Sequence, residues 1–346
     1  MKITIVDIAK KLKVDPSTVS LALRNSPKIS KKTTALVQKT AESMGYRVNP
    51  YVSALMSAQR QGKMPKSPPT IAFITSSVSA NGWHKKNITK EFYAGCSDVA
   101  QSLGLHLEHF WIGEPDMSAQ RLNEILYNRG IQGAILLPTG RFREKFNHTW
   151  EHIAAVSYGI YDISPEVDRV RGDHFGNMEK TLSQLMAQGF KRIGFAMDTP
   201  YPYDNNNRWL AAYFMYSQNP EGGAHLLPFL ETEPTPSLFK EWYLTQQPDV
   251  IICVHAPQVI AWLKEANLEV PQDLSLAALG NLSDTPAISG IIENALSCGK
   301  LAMEILSDRI HHNQMGPPES PRYYTVRGWW NEGTTLRQTT TESPTR

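Results

Sequence analysis

Apolar positions in the first forty-four residues recur at three- and four-residue intervals, in three blocks separated by polar breaks. In the first block Ile5, Ile8, Ala9 and Leu12 share one face of a helix, and Lys10, Lys11 and Lys13 lie largely off it. The second block starts at Asp15-Pro16. An aspartate supplies an N-cap, and proline suits the first helical position because the N–H it lacks would be unpaired there anyway. Val19, Ala22 and Leu23 then face the first helix, leaving Ser17, Ser20, Leu21 and Arg24 outward. Ser30 caps a third helix to about Met44, in which Leu36, Val37, Ala41 and Met44 keep the helical period and Gly45 ends it. The pattern predicts a helix-turn-helix completed by a third helix.

Residues 49–57 form one or two further helical turns, too short to be stable alone because nucleation is costly, and 58–69 read as a polar linker with three prolines. From Thr70 the pattern changes to apolar strand runs alternating with helices. Strands are expected at 70–75, 105–112, 134–138 and 153–158, with helices at 88–103, 118–129 and around 142–151. A second set comes after them. Its helices fall at 177–188, 207–218 and 257–266, and its strands at 192–197, 250–254 and 274–279. Helix 297–311 and a strand near 323–326 would cross back between the two halves. Repeated βα units of this kind predict doubly wound parallel sheets in two lobes, with ligands near the strands' carboxyl ends. The fold class is therefore α/β with an all-α head.

Charge sharpens this division. Residues 1–66 hold thirteen Lys or Arg against three acids, a formal +10, whereas the whole 346-residue chain carries +2 and the remainder therefore −8. Helix spacing alone also fits a bundle that never meets nucleic acid; a basic head on an acidic body is what a polyanion-binding head predicts. A hydrophobic content of 41% supplies ordinary cores for two or three domains. No run reaches the ~20 apolar residues of a membrane helix, and the N-terminus lacks a signal peptide's apolar core, so the expected location is the cytoplasm. Cys96, Cys253 and Cys298 stand singly and read as buried thiols, with no zinc or disulfide pattern.

Val6-Asp7-Ile8-Ala9, Val14, Ser17-Thr18-Val19-Ser20, Asn25, Ile29-Ser30, Met44-Gly45-Tyr46 and Asn49-Pro50 fall in the order found in the LacI/GalR family of bacterial transcription regulators, which the chain resembles over about residues 3–336. Further landmarks are Gln188-Gly189-Phe190, Leu268-Glu269-Val270-Pro271-Gln272-Asp273-Leu274, Cys298-Gly299-Lys300-Leu301-Ala302 and Glu332-Gly333-Thr334-Thr335. The resemblance implies a helix-turn-helix domain at 1–48, a hinge helix and linker at 49–69, and a periplasmic-binding-protein-like effector and dimerisation domain at 70–336. Its first lobe would take about 70–162 and 291–321 and its second about 163–290 and 322–336, before a disordered tail at 337–346. It also implies a homodimer on a palindromic DNA operator, acting as a repressor under a small-molecule, carbohydrate-derived effector. DNA contacts are then expected from Asp15, Pro16, Ser17, Thr18, Ser20, Leu21, Arg24, Asn25, Lys31 and Asn49. Leu55 would wedge into the minor groove, or only pack on its dimer mate.

Enzyme chemistry finds little footing. GxGxxG, GxxxxGK[ST] and GxSxG are absent, no cofactor is indicated, and His148-Thr149-Trp150-Glu151-His152, although spaced like some zinc-protease helices, runs straight into a strand without a third ligand. The rival reading is a cytoplasmic solute-binding protein or sugar-modifying enzyme with an accessory basic head. In the resemblance Arg208 faces the cleft and grips effector oxygens, with His255 and Leu282 standing where relatives carry a polar pair and a sugar-binding acid. Phe73, Trp83, Tyr158 and Trp209 would cover an apolar ring face, though each fits core or dimer packing equally. Hydroxyls buried without acceptors cost about 1–3 kcal/mol each, so the expected ligand carries an acidic group or an apolar face.

Overall fold

A computed structural model describes residues 5–23, 29–44, 68–139, 143–146, 150, 152–159, 161, 163–197, 207–217, 226–280 and 285–337. The hinge segment, Arg24, Asn25, Asn49, Leu55, Leu282 and the tail from 338 lie outside them.

The head consists of α1 (Ile5–Leu12), α2 (Pro16–Leu23) and α3 (Lys31–Ser43). Ile5, Ile8, Ala9, Val19, Ala22, Val37 and Ala41 form its buried centre. Both caps expected from sequence are made: Ser17 N–H donates to Asp15 Oδ1 (2.8 Å) and Thr33 N–H to Ser30 Oγ (3.1 Å). Lys13 takes φ +53°, the left-handed residue of the tight turn. Leu36, expected inside, is 55% exposed, because the apolar stripe of α3 runs through Val37 and Ala41 and turns it outward.

Beyond the head the chain forms two sheets. The first contains β1 (Thr70–Thr75), β2 (His106–Trp111), β3 (Gly133–Leu137), β4 (Ala154–Tyr158), β5 (Asp168–Gly172) and β10 (Tyr323–Val326), all parallel in the order β10-β5-β4-β3-β1-β2. On one face lie α4 (Asn87–Ser102) and α10 (Ala295–His311), on the other α5 (Ala119–Asn128). Helices on both faces explain why β3 and β4 are buried throughout. α4 and α10 approach backbone to backbone: a Cβ on Gly299 would sit 2.0 Å from Phe92 O.

The second sheet contains β6 (Ile193–Ala196), β7 (Val250–Cys253), β8 (Ser275–Gly280), β9 (Gly290–Ile292) and antiparallel β11 (Trp329–Asn331), in the order β11-β9-β8-β7-β6. A parallel bridge from Ala196 to Phe229 extends it beyond β6. α6 (His174–Ala187) and α7 (Asn207–Ser217) cover one face, and α8 (Pro236–Gln246) and α9 (Ala256–Glu265) the other. Among the described residues no helix is long and apolar enough to cross a membrane.

The expected lobe boundaries need correction. Asp168–Gly172 and Tyr323–Val326, expected in the second lobe, pair with each other and with β4 in the first sheet (Tyr323↔Arg169, Val156↔Asp168). The second lobe begins instead at His174, after β5. The sequence Asp-Arg-Val-Arg-Gly lacks an apolar run, and all five residues are buried because tertiary partners take up the charges. Asp168 pairs with Arg309, and Arg169 and Arg171 lie 5.2 and 5.3 Å from the Tyr323 ring centre. Around 142–151 the only described helical turn is a 3-10 turn at Arg143–Phe146.

The chain passes between the sheets three times: after β5 into α6, after β9 into α10, and after β10 into β11. These crossovers are tied together. Asn177 Oδ1 accepts the Gly328 N–H (2.9 Å), Arg327 Nε lies 3.2 Å from Asp173 Oδ2, and His174 Nε2 lies 3.3 Å from Glu293 Oε1.

Candidate nucleic-acid interface and effector cleft

On α2, burial of Val19 and Ala22 fixes which side faces out. Asp15, Pro16 and Ser17 are exposed at its N-terminus, with Thr18, Ser20 and Leu21 partly exposed beside them, while Lys31 is exposed at the start of α3. Hydrogen bonds from the Ser17 hydroxyl and N–H hold the Asp15 carboxyl below its usual range, keeping the cap ionised. A short helix presenting its first turn and one outward stripe, flanked by lysines, has the shape of a major-groove reader.

The cleft is defined by topology. In the first sheet β1 is flanked by β2 and β3, so the order of strand addition reverses there while every strand stays parallel; in the second, Phe229 and β7 flank β6 in the same way. Crevices at such switch points, beyond the carboxyl ends of the strands, are where open α/β folds hold ligands. In the first lobe Ser76 Oγ donates to Thr139 O (2.6 Å) across the switch, and Trp111 Nε1 donates to Ser77 O (2.8 Å). In the second, Arg208 and His255 are both exposed, at the starts of the helices that succeed β6 and β7.

The four aromatics expected as ring platforms are distributed differently. Phe73 is corrected to a core residue: it is fully buried on β1, where alternation turns it toward α4 among Trp83, Phe92 and Tyr93. Trp83 and Tyr158 are 5% and 7% exposed, and Tyr158 stacks on Phe92 at 3.9 Å. Trp209, 3% exposed, has the His174 ring 4.3 Å away at 31°. His109 donates or accepts at Thr75 Oγ1 (2.8 Å), and burial, with a smaller contribution from His84, lowers its pKa. Of the zinc-like pentamer, Trp150 is buried and His148, Thr149 and Glu151 lie outside the described residues.

Two residues whose place in the site is not legible in the sequence occupy the crossovers. Glu293 comes directly after β9, and its N–H bonds Gly280 O (3.2 Å) at the end of β8; its carboxylate reaches Gly172 at the end of β5, where an added Cβ would meet Oε1 at 3.2 Å. His174 opens α6 and holds the same oxygen. Burial first, then the Cys298 thiol and the carboxylates of Glu293 and Glu91, push the Tyr158 phenol well up. Glu293 thus brings a buried carboxylate to the carboxyl ends of β5, β8 and β9. A three-residue strand carries too weak a pattern to mark the residue at its end as part of a site.

Two family models match parts of the chain. Residues 4–49 match the family described as bacterial regulatory proteins, lacI family, and residues 182–328 the periplasmic binding protein-like domain. Catabolite control protein A of Staphylococcus epidermidis (strain ATCC 12228 / FDA PCI 1200) is 21% identical over 333 residues, covering 92% of this chain and 95% of that protein. The NTD biosynthesis operon regulator NtdR of Bacillus subtilis (strain 168) is 23% identical over 205 residues, 57% of this chain and 56% of that one. Among solved structures, a transcriptional regulator CelR–cellobiose complex superimposes with TM-score 0.58 at 15% identity, over 96% of this chain and 100% of the other. The lac repressor dimer bound to operator and the anti-inducer ONPF gives 0.55 at 16%, over 97% and 100%.

Proposed function

We infer the function from the premise that the chain belongs to the LacI family of bacterial regulatory proteins: it is a DNA-binding transcription regulator, acting as a homodimeric repressor on a palindromic operator under the control of a sugar-derived effector in the interlobe cleft. The observation that carries this reading is a capped helix-turn-helix in a basic segment, followed by two sheets that each have a strand-order switch point. Asp15, Pro16, Ser17, Thr18, Ser20 and Leu21 are proposed to meet DNA, with Lys31 on phosphate, and Arg24, Asn25, Asn49 and Leu55 completing the interface. Arg208 and His255, with Tyr158, Trp83, Trp209 and Leu282, are proposed to line the effector site. Arg208 offers a fixed fork of donors to hydroxyls or a carboxylate. The protein works in the cytoplasm and catalyses no reaction. Its proposed units are a DNA-binding head at 1–48, a hinge at 49–69 and a two-lobed domain at 70–336, with the second lobe starting at His174. A gel shift on the DNA upstream of the protein's own gene tests the reading; failure to retard that DNA at low salt, or equal retardation of unrelated DNA, rejects it.

Leu21 is often arginine in relatives and is partly exposed on α2. Leucine meets a thymine methyl and cannot bond guanine, whereas arginine bonds guanine in bidentate fashion for about 1–3 kcal/mol of discrimination. Leu21→Arg is expected to move preference toward guanine at one symmetric operator position. Site selection from a randomised palindrome checks this, and an unchanged profile counts against base reading by residue 21.

In the cleft, Arg208→Ala is expected to abolish thermal stabilisation by any sugar, uronate or oligosaccharide that stabilises the wild type, leaving operator binding intact. A variant that responds as the wild type does removes Arg208 from the site.

A further inference from the structure

The strongest unassigned feature is the pair His174–Glu293. Each side chain is more than nine-tenths buried, at 8% and 9% exposed, and the two meet at 3.3 Å where two of the three crossovers pass. Four observations place them at the cleft's base. Glu293 lies beyond the carboxyl end of β9 and against Gly172 at that of β5. The Tyr158 phenol, at the carboxyl end of β4, feels its charge together with that of Glu91 on α4. The His174 ring lies 4.3 Å from that of Trp209, the neighbour of Arg208, tilted by 31°. His174 Nδ1 is buried and has no hydrogen-bond partner among the described residues.

The chemistry of this end emerges from counting donors and acceptors. When His174 Nε2–H donates to Glu293, Nδ1 carries a lone pair and accepts, and the carboxylate keeps further lone pairs. A buried acceptor without a donor costs free energy, and a carboxylate rewards a charged donor more than a neutral one. We propose that Glu293, oriented by His174, is the specificity-determining acid of the effector cleft and selects a ligand bearing hydroxyl or ammonium donors at this end, ranking an amino sugar above the neutral sugar and that above the uronate. Arg208, exposed at the start of α7, takes the ligand's oxygen-rich end. The inference rests on the effector reading proposed for the cleft, and adds to it the residue and the charge preference.

The test uses the full-length protein with glucosamine, glucose and glucuronate as probes, read by calorimetric titration and thermal shift, with operator retardation and circular dichroism as folding controls. Wild type should bind glucosamine most tightly. Glu293→Gln, which keeps the shape and removes the charge, should weaken glucosamine at least tenfold while changing glucuronate less than twofold or in its favour. His174→Asn should fall between, with the same order of probes. Wild-type affinity of Glu293→Gln for glucosamine overturns the proposal, as does a wild type that ranks glucuronate first. If Arg208→Ala loses every probe while Glu293→Gln loses none, the cleft reading stands and this inference alone falls. If no probe binds the wild type, both fall, and operator binding is judged separately.

Discussion

Affinity of the dimer for its operator is expected to drop by roughly 10³–10⁵ between 50 and 200 mM salt, the loss that goes with about six to ten neutralised phosphates. The charge that drives it is local. Each head carries a formal +10 in residues 1–66, and the rest of each chain carries −8, so a dimer presents two basic heads on a body that DNA repels. Lys10, Lys11 and Lys13 end the first helix and enter its turn, and Lys31 and Lys32 open α3, so the lysines border α2 on both sides. Contacts to phosphate position the reader without specifying sequence, so the steep slope should appear on operator and random DNA alike. Their difference should remain as salt rises. Fluorescence anisotropy across a salt series measures both slopes. A nearly flat series on a palindromic site would show that the head's charge is not spent on phosphate. Lys31→Gln should reduce the slope by about one for each head that it disengages, with little change in which sequence is preferred.

Much of this architecture is legible in the sequence where a single rule dominates. Asp15-Pro16 and Ser30 announce two helix starts because capping is local, and the caps form as expected. The strand runs at Ile71–Ile74 and Val250–Cys253 are apolar throughout because helices cover both faces of each sheet. The features that escape a local reading are decided by distant partners. β5 reads as a charged loop until Arg309 and Tyr323 are brought against it, from 141 and about 154 residues further on. α8 escapes for another reason: Leu238 and Leu244 are exposed, and its buried side is marked by aromatics, Phe239 with Trp242 and Tyr243, in place of an aliphatic stripe. Position near a strand end suggests a ligand platform at Phe73, but side-chain direction, which alternation sets, puts it in the core beneath α4. Glu293 is invisible for the opposite reason, since its chemistry depends on two chain crossings that no local pattern announces.

The buried charges of β5 yield the largest stability change expected of any single substitution. Asp168 Oδ2 meets Arg309 Nη1 at 2.8 Å with both side chains about 5% exposed, and its other oxygen accepts the Arg322 N–H at 2.9 Å. Arg309 Nη2 donates to Gln314 O (3.2 Å) and Gly316 O (2.8 Å), so one ion pair ties β5, α10 and the approach to β10. Removing one partner leaves the other charge buried and unpaired, which costs about 3–5 kcal/mol against a total stability of about 5–15. Asp168→Ala and Arg309→Ala should each lower the unfolding free energy measured in urea by that amount, with loss of much of the folded dimer at physiological temperature. The exposed pair Lys300–Asp98, at 3.5 Å and with 43% and 59% of the side chains exposed, provides the contrast. Asp98→Ala should change stability by less than about 1 kcal/mol, because solvent screens the pair and ordering two side chains offsets most of its attraction. Replacing both members of the buried pair, Asp168→Leu with Arg309→Met, should recover part of the loss, since the penalty lies in the orphaned charge more than in the missing attraction. A double variant as unstable as the sum of the two singles would assign the cost to the lost backbone anchors at Arg322, Gln314 and Gly316 instead.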